Sequence, residues 1–243
     1  MKSLFSAISF LTIFPASTPR TGDMEHLKFS WIWFPLVGLL VGAVIGTVFE
    51  IAYLYLHLTK LVSATLTITA SILITRGFHY DGLADTVDGL FGGSNKEERL
   101  RIMKDSHIGS FATLALICTI LLQIQFTANI PIYRLVPTLG AVGLFSRLTV
   151  LGPMLWSPYA NELSLGRVFE RSLFLYLIAI FYSLWLGYLL VGQQVIGVIL
   201  ITFGTALAIS YLAKRLLGGI NGDICGCLIV ISELVATIYL SLN

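Results

Sequence analysis

The feature that most constrains this chain is a series of apolar runs at about 31–56, 61–76, 109–129, 135–156, 173–192, 194–213 and 224–242. Roughly 18–20 such residues in a helix cross the hydrocarbon core of a bilayer. Inside lipid, only helices or a closed barrel satisfy every backbone N–H and C=O. The expected fold is therefore all-α: a polytopic integral membrane helical bundle of about seven transmembrane helices, forming a single membrane-embedded domain over 1–243. Composition agrees, at 56% hydrophobic and 12% charged, against about 25% charged for an average soluble domain. The opening residues, MKSLFSAISFLTIF, are followed by Pro15 without a small-residue cleavage site. They predict a short N-terminal interfacial or re-entrant helix that stays on the protein.

The partner these features imply is the lipid bilayer. A net charge of +2 with no basic stripe argues against nucleic acid. Cys118, Cys225 and Cys227 all fall in apolar spans, and the C-x-C pair has no histidine near it. They read as packing residues, not as a zinc site or a disulfide framework.

Orientation follows from lysine and arginine in the short loops. With seven spans, one side carries Arg20, Lys28, Arg76, Lys96, Arg99, Arg101, Lys104, Arg167, Arg171, Lys214 and Arg215; the other carries only Lys60 and Arg134. The richer side is expected to be cytoplasmic. It holds the longest polar segment, 77–108, predicted to be a helical hairpin loop.

That segment begins FHYDGLADTVDGLFGG, with Asp81, Asp85 and Asp88 spaced by four and three. On a helix, Asp85 and Asp88 lie about 40° and 20° to either side of Asp81, so the three carboxylates share one face. Like charges so placed repel, and a cation between them relieves the repulsion. Oxygen ligands alone favour Mg²⁺ or Mn²⁺ over zinc, and Mg²⁺ characteristically takes one or two carboxylates together with substrate phosphates. Gly82 and Gly89 are expected to let a bulky ligand approach the backbone.

Further along, Ser94 and Glu97 have capping-box spacing and predict a short helix over about 95–104. Asp105 is a candidate fourth metal ligand, brought back by the hairpin. Lys104, Ser106 and His107 are candidate phosphate contacts, and His79 is either a ligand contact or an interfacial aromatic. Arg147 lies within a span, where an ionisable residue is a functional candidate; with Arg76 and Lys104 it is a candidate phosphate clamp. In GGINGDICGCLIVISELV, Asp223 opens a helix as either cap or ligand, and Glu233 lies about three turns deeper, where an acid needs a partner. Glu50 raises the same question.

The motifs PLVGLLVG, FHYDGLADTVDGLFGG, ERLRIMKDSHIGSF, FSR and GGINGDICG, followed by a glutamate, occur in this order from one end of the chain to the other. In this the chain resembles the cobalamin synthase family, the membrane-bound adenosylcobinamide-GDP ribazoletransferases. Asn221 stands where the family more often has threonine, and Cys227 where alanine is usual. The resemblance implies an Mg²⁺-dependent transferase in a bacterial or archaeal cell membrane, with its active face cytoplasmic. The 3′-hydroxyl of α-ribazole, or of its 5′-phosphate, would attack the cobinamide-linked phosphoryl group of adenosylcobinamide-GDP and expel GMP. Asp81, Asp85, Asp88 and Asp105 would hold the metal, with Asp105 or Asp85 taking the hydroxyl proton. Arg76, His79, Lys104, Ser106, His107, Arg147, Asn221 and Asp223 would contact substrate. Oligomerisation or a multienzyme assembly stays open. Two other readings are a CDP-alcohol phosphotransferase, which Asp85-Thr86-Val87-Asp88-Gly89 matches only at its start, and a secondary transporter, for which the paired repeats are missing.

Overall fold

In the absence of water, hydrogen bonds close within each apolar segment, and the outcome is helical throughout. A computed structural model describes residues 2–15, 24–160 and 168–243; Arg20 and Arg167 of the loop charge comparison lie outside these. Among the described residues the α-helices are α1 (Lys2–Leu11), α2 (Met24–Lys28), α3 (Phe34–Glu50), α4 (Lys60–Ile74), α5 (Phe78–Gly92), α6 (Lys96–Ile102), α7 (Ser110–Asn129), α8 (Leu135–Trp156), α9 (Leu173–Val191), α10 (Val195–Leu217) and α11 (Gly222–Leu242). The only strand-like pairing among them is one isolated bridge between Tyr159 and Ile220.

By length and apolarity five helical runs qualify to cross a membrane, or six if the bent pair α4–α5 counts as one span. The longest run, Leu173–Leu217, has 45 residues and reverses at Gly192, where φ is +58°. Its two limbs, α9 and α10, return past the same point of α8: the Trp156 ring meets Tyr176 at 6.3 Å and Phe203 at 5.6 Å.

The most extensive helix contact is α3 on α8, and glycine makes it. Gly38, Gly42 and Gly46 recur every fourth residue on α3 and so share a face. A Cβ on Gly38 would lie 2.0 Å from the Gly143 carbonyl oxygen, and one on Gly42 2.1 Å from that of Leu139. Small residues at this spacing let two helices pack backbone to backbone in lipid, where burial away from water drives nothing. Around this seam α8 is almost wholly buried, and α11 packs on its other side.

The active region depends on the break between α4 and α5. Arg76 and Gly77 both adopt left-handed backbone, with φ of +57° and +67°, and the two helices meet at 88°. A left-handed arginine costs about 1–2 kcal/mol, so the surrounding packing must hold this turn in place. It directs α5 back across α7 and α11.

Two local expectations need correction. Gly82 and Gly89 do not open the backbone to a ligand. A Cβ on Gly82 would meet the Asp223 carbonyl oxygen at 2.7 Å and Gly226 Cα at 3.1 Å, while one on Gly89 would meet Met103 Cγ at 2.3 Å. These glycines seat α5 on α11 and on the end of α6. The short helix also starts one residue late, because Asn95 is the better-placed cap. Its side chain accepts from Glu98 N at 2.9 Å, and Glu98 in turn accepts from Ser94 N at 2.9 Å.

Candidate active site

Three carboxylates gather where α5 crosses the start of α11. Asp81 is exposed and Asp85 half-buried. Asp85 lies in the field of Asp81, Asp223 and Asp88, and Asp223 in that of Asp81. Asp223 therefore joins the cluster expected of α5 alone. It is not the cap of α11, because Asn221 takes that place: its Oδ1 accepts from Ile224 N at 2.9 Å, and its Nδ2 donates to Asp223 Oδ2 at 2.8 Å. Asn221, expected to contact substrate, thus caps a helix with one end and orients Asp223 with the other.

Asp88, expected as a metal ligand, is committed elsewhere. Its two oxygens accept from Gly109 N at 2.6 Å and Ala112 N at 2.8 Å. Gly109 is the N-terminal boundary of α7 and has no side chain to cap it, so Asp88 supplies the cap from another helix. A negative charge there also complements the helix dipole. Asp88→Ala should lower stability by about 1–2 kcal/mol and speed amide exchange at Gly109 and Ala112. Unchanged exchange at those two amides would refute the capping role.

Asp105 stands apart from the cluster. Its Oδ1 accepts from His107 N at 3.0 Å and pairs with His107 Nδ1 at 2.7 Å, on an exposed turn. The imidazole and backbone N–H of His107 hold its carboxyl below the usual carboxylate range, which makes it a poorer proton acceptor. Lys104, Ser106 and His107 are exposed on the same turn.

Arg147 does not face the acidic cluster at all. It is 2% exposed and paired with Glu233 of α11, and it donates to Ser146 Oγ at 2.9 Å. Its Nη2 lies 3.5 Å from Nδ1 of His79, itself buried. The expected phosphate clamp is thus an internal tie between α8, α11 and α5. The same interior holds a bond from the Tyr80 hydroxyl to Gln123 Oε1 on α7. Arg147 and Glu233 each stood out in the sequence; what would have joined them is that each is an ionisable residue in an otherwise apolar span, needing an opposite charge.

Arg76 does reach a site. With Asp81, Tyr80 and Phe78 it lines a cleft of about 670 Å³, closed on another side by Phe10 and Thr12. That volume is within the range of small-molecule sites. Asp81 opens on it, and Asp81, Asp85 and Asp223 offer oxygen alone, the donor chemistry Mg²⁺ takes. Among the described residues no group of three or more His, Cys, Asp or Glu side chains is placed to hold a metal ion, so the protein offers at most one or two of these side chains to an ion. An open set of this kind fits an ion that completes its shell with water and phosphate.

The comparison with known proteins decides the kinship. The family model for cobalamin-5-phosphate synthase matches residues 3–241. This chain belongs to the cobalamin-5-phosphate synthase family. Similar relatives are the adenosylcobinamide-GDP ribazoletransferases of Escherichia coli strain K12 and of Escherichia coli O157:H7. Each is 35% identical over 249 aligned positions covering 97% of this chain and 98% of the relative. No solved structure matches. In this cobalamin-5-phosphate synthase family member, Asp81 lines the cleft, and Asp85 and Asp223 lie within its field.

Proposed function

We propose that this protein is an adenosylcobinamide-GDP ribazoletransferase that closes the nucleotide loop of cobalamin. The observation that carries the reading is the convergence of Asp81, Asp85 and Asp223 beside a 670 Å³ cleft with Arg76 on its wall. Family membership supplies the substrates: adenosylcobinamide-GDP and α-ribazole or its 5′-phosphate.

Asp81 and Asp223 are the residues that would hold Mg²⁺ against the diphosphate, with Asn221 fixing the Asp223 carboxylate. When bound there, the ion would supply charge neutralisation for the departing GMP. Asp85, on the same face of α5 as Asp81 and in the field of Asp223, acts as the general base toward the riboside 3′-hydroxyl. The new bond joins that oxygen to the cobinamide-linked phosphorus, and the bond from phosphorus to the bridging oxygen of GMP breaks. Arg76, which lines the same cleft as Asp81, binds phosphate oxygens. The excess of lysine and arginine in the loops on this face supports a reaction on the cytoplasmic side of the cell membrane. Glu233 is taken up by Arg147, so it is not free to serve as a transporter's substrate site.

The test is GMP release by protein reconstituted in liposomes. Both substrates and Mg²⁺ should be required, and EDTA should stop the reaction. A folded, inserted sample that yields no GMP overturns the assignment.

A further inference from the structure

A second, smaller chamber lies behind the cleft. It is walled by Phe10 of α1, Phe34 of α3, Phe78 and His79 of α5, Met154 of α8, and Phe169. Its volume is about 50 Å³, several times what one water molecule needs. The walls are flat. Phe10 and Phe34 stack at 5.6 Å with planes 6° apart, and Phe169 stands edge-on to both at 5.5 Å. Three residues with polar side chains, His79, Tyr159 and Asn221, break this apolar lining. His79 is 2% exposed, and its Nε2 is buried with no hydrogen-bond partner among the described residues.

The character of that atom follows from its neighbour. Arginine can only donate, so with Arg147 Nη2 3.5 Å away, Nδ1 of His79 must be the acceptor. The proton of the neutral ring is then on Nε2. A buried N–H without an acceptor is costly, and a ligand carrying an in-plane acceptor nitrogen removes that cost. Aromatic walls add offset stacking. We infer that this chamber binds a flat heteroaromatic ring through an acceptor nitrogen facing His79 Nε2, and that in the reaction this ring is the base of the riboside.

Position supports the second half of the inference, which rests on the transferase reading above. Asn221 and Gly222, next to Asp223, line the chamber on one side. Phe10 and Phe78 are shared with the 670 Å³ cleft, and Phe78 is 44% exposed, so the ring enters past it. A riboside with its base in the chamber has its sugar beside the carboxylates. His79 is then a specificity residue, selecting bases by a ring nitrogen.

The chamber can be tested without turnover. Full-length protein in lipid nanodiscs is titrated with benzimidazole, and with indane as a similar bicycle lacking nitrogen, against protein-free nanodiscs. Benzimidazole should bind saturably and about tenfold more tightly than indane. His79→Leu should bring that ratio close to one, and His79→Gln, which restores a donor, should recover part of it. Gly222→Val gives a second route: a Cβ there meets nothing within 4 Å, and the added bulk should lower binding of both rings. Absence of saturable benzimidazole binding, or an unchanged ratio in His79→Leu, overturns the inference. Ring binding without GMP release would uphold the chamber and remove the transferase reading; GMP release by protein that binds no ring would remove the chamber alone.

Discussion

Asp85→Asn protein, folded and inserted at wild-type levels, is expected to release GMP about a thousandfold more slowly. General-base catalysis is worth roughly 10²–10⁴ in rate, and the amide keeps the shape of the side chain while losing its basicity. The assignment to Asp85 separates from a metal-holding role by Mg²⁺ titration. Asp85→Asn should keep a near-normal half-saturating Mg²⁺ concentration while its maximal rate collapses. Asp81→Asn and Asp223→Asn should instead need several-fold more Mg²⁺, because each removes a charge that would hold the ion. Asp105→Asn should retain most activity, since Asp105 sits with His107 on an exposed turn. Wild-type turnover by Asp85→Asn would end the mechanism; a loss in Asp105→Asn as large as that in Asp85→Asn would move the base to the hairpin.

The second large effect concerns stability. Arg147 is 2% exposed and its partner Glu233 14%, so either residue left alone is a charge without a counter-charge in the protein interior. Breaking a buried pair costs about 3–5 kcal/mol, whereas replacing both members with apolar groups is often close to neutral. Arg147→Met and Glu233→Met should each lower Tm by about 10 °C, on the usual scaling for a domain of this size. The Arg147→Met/Glu233→Met double variant should recover most of that loss. A double variant as unstable as the sum of the singles would show that the two residues do not act as a pair.

Much of the architecture was legible because apolar length is a one-dimensional signal. The runs expected at 109–129, 135–156 and 224–242 became α7, α8 and α11 nearly residue for residue. The turn of 88° between α4 and α5 was not legible. It depends on a left-handed Arg76 before Gly77, and arginine carries no local preference for that backbone. At the site, helical spacing puts Asp81 and Asp85 on one face, and the fold keeps Asp85 in the field of Asp81. The spacing failed for Asp88 because a shared face on one helix does not say which neighbour meets it; here α7 begins against Asp88 and takes both oxygens. Asp223 was read as cap or ligand, and the choice turned on Asn221, whose side chain took the capping position. The glycine ladder Gly38, Gly42 and Gly46 could have been read as a packing face from its spacing alone.

The tie between Arg147 and Glu233 also bears on how the chain is made. The two residues are 86 positions apart, so at about 5–20 residues per second Arg147 is synthesised several seconds before its partner exists. During that interval α8 carries an unpaired arginine, worth about 2.5–3.5 kcal/mol against insertion at the centre of a helix. The Gly38–Gly42–Gly46 face of α3 is already present and can hold α8 by close packing while it waits. Insertion thus runs through a stage in which α3, and then α9 and α10, hold α8 before its arginine is paired. A nascent chain halted before Glu233 should leave α8 easier to extract than one halted at the natural end.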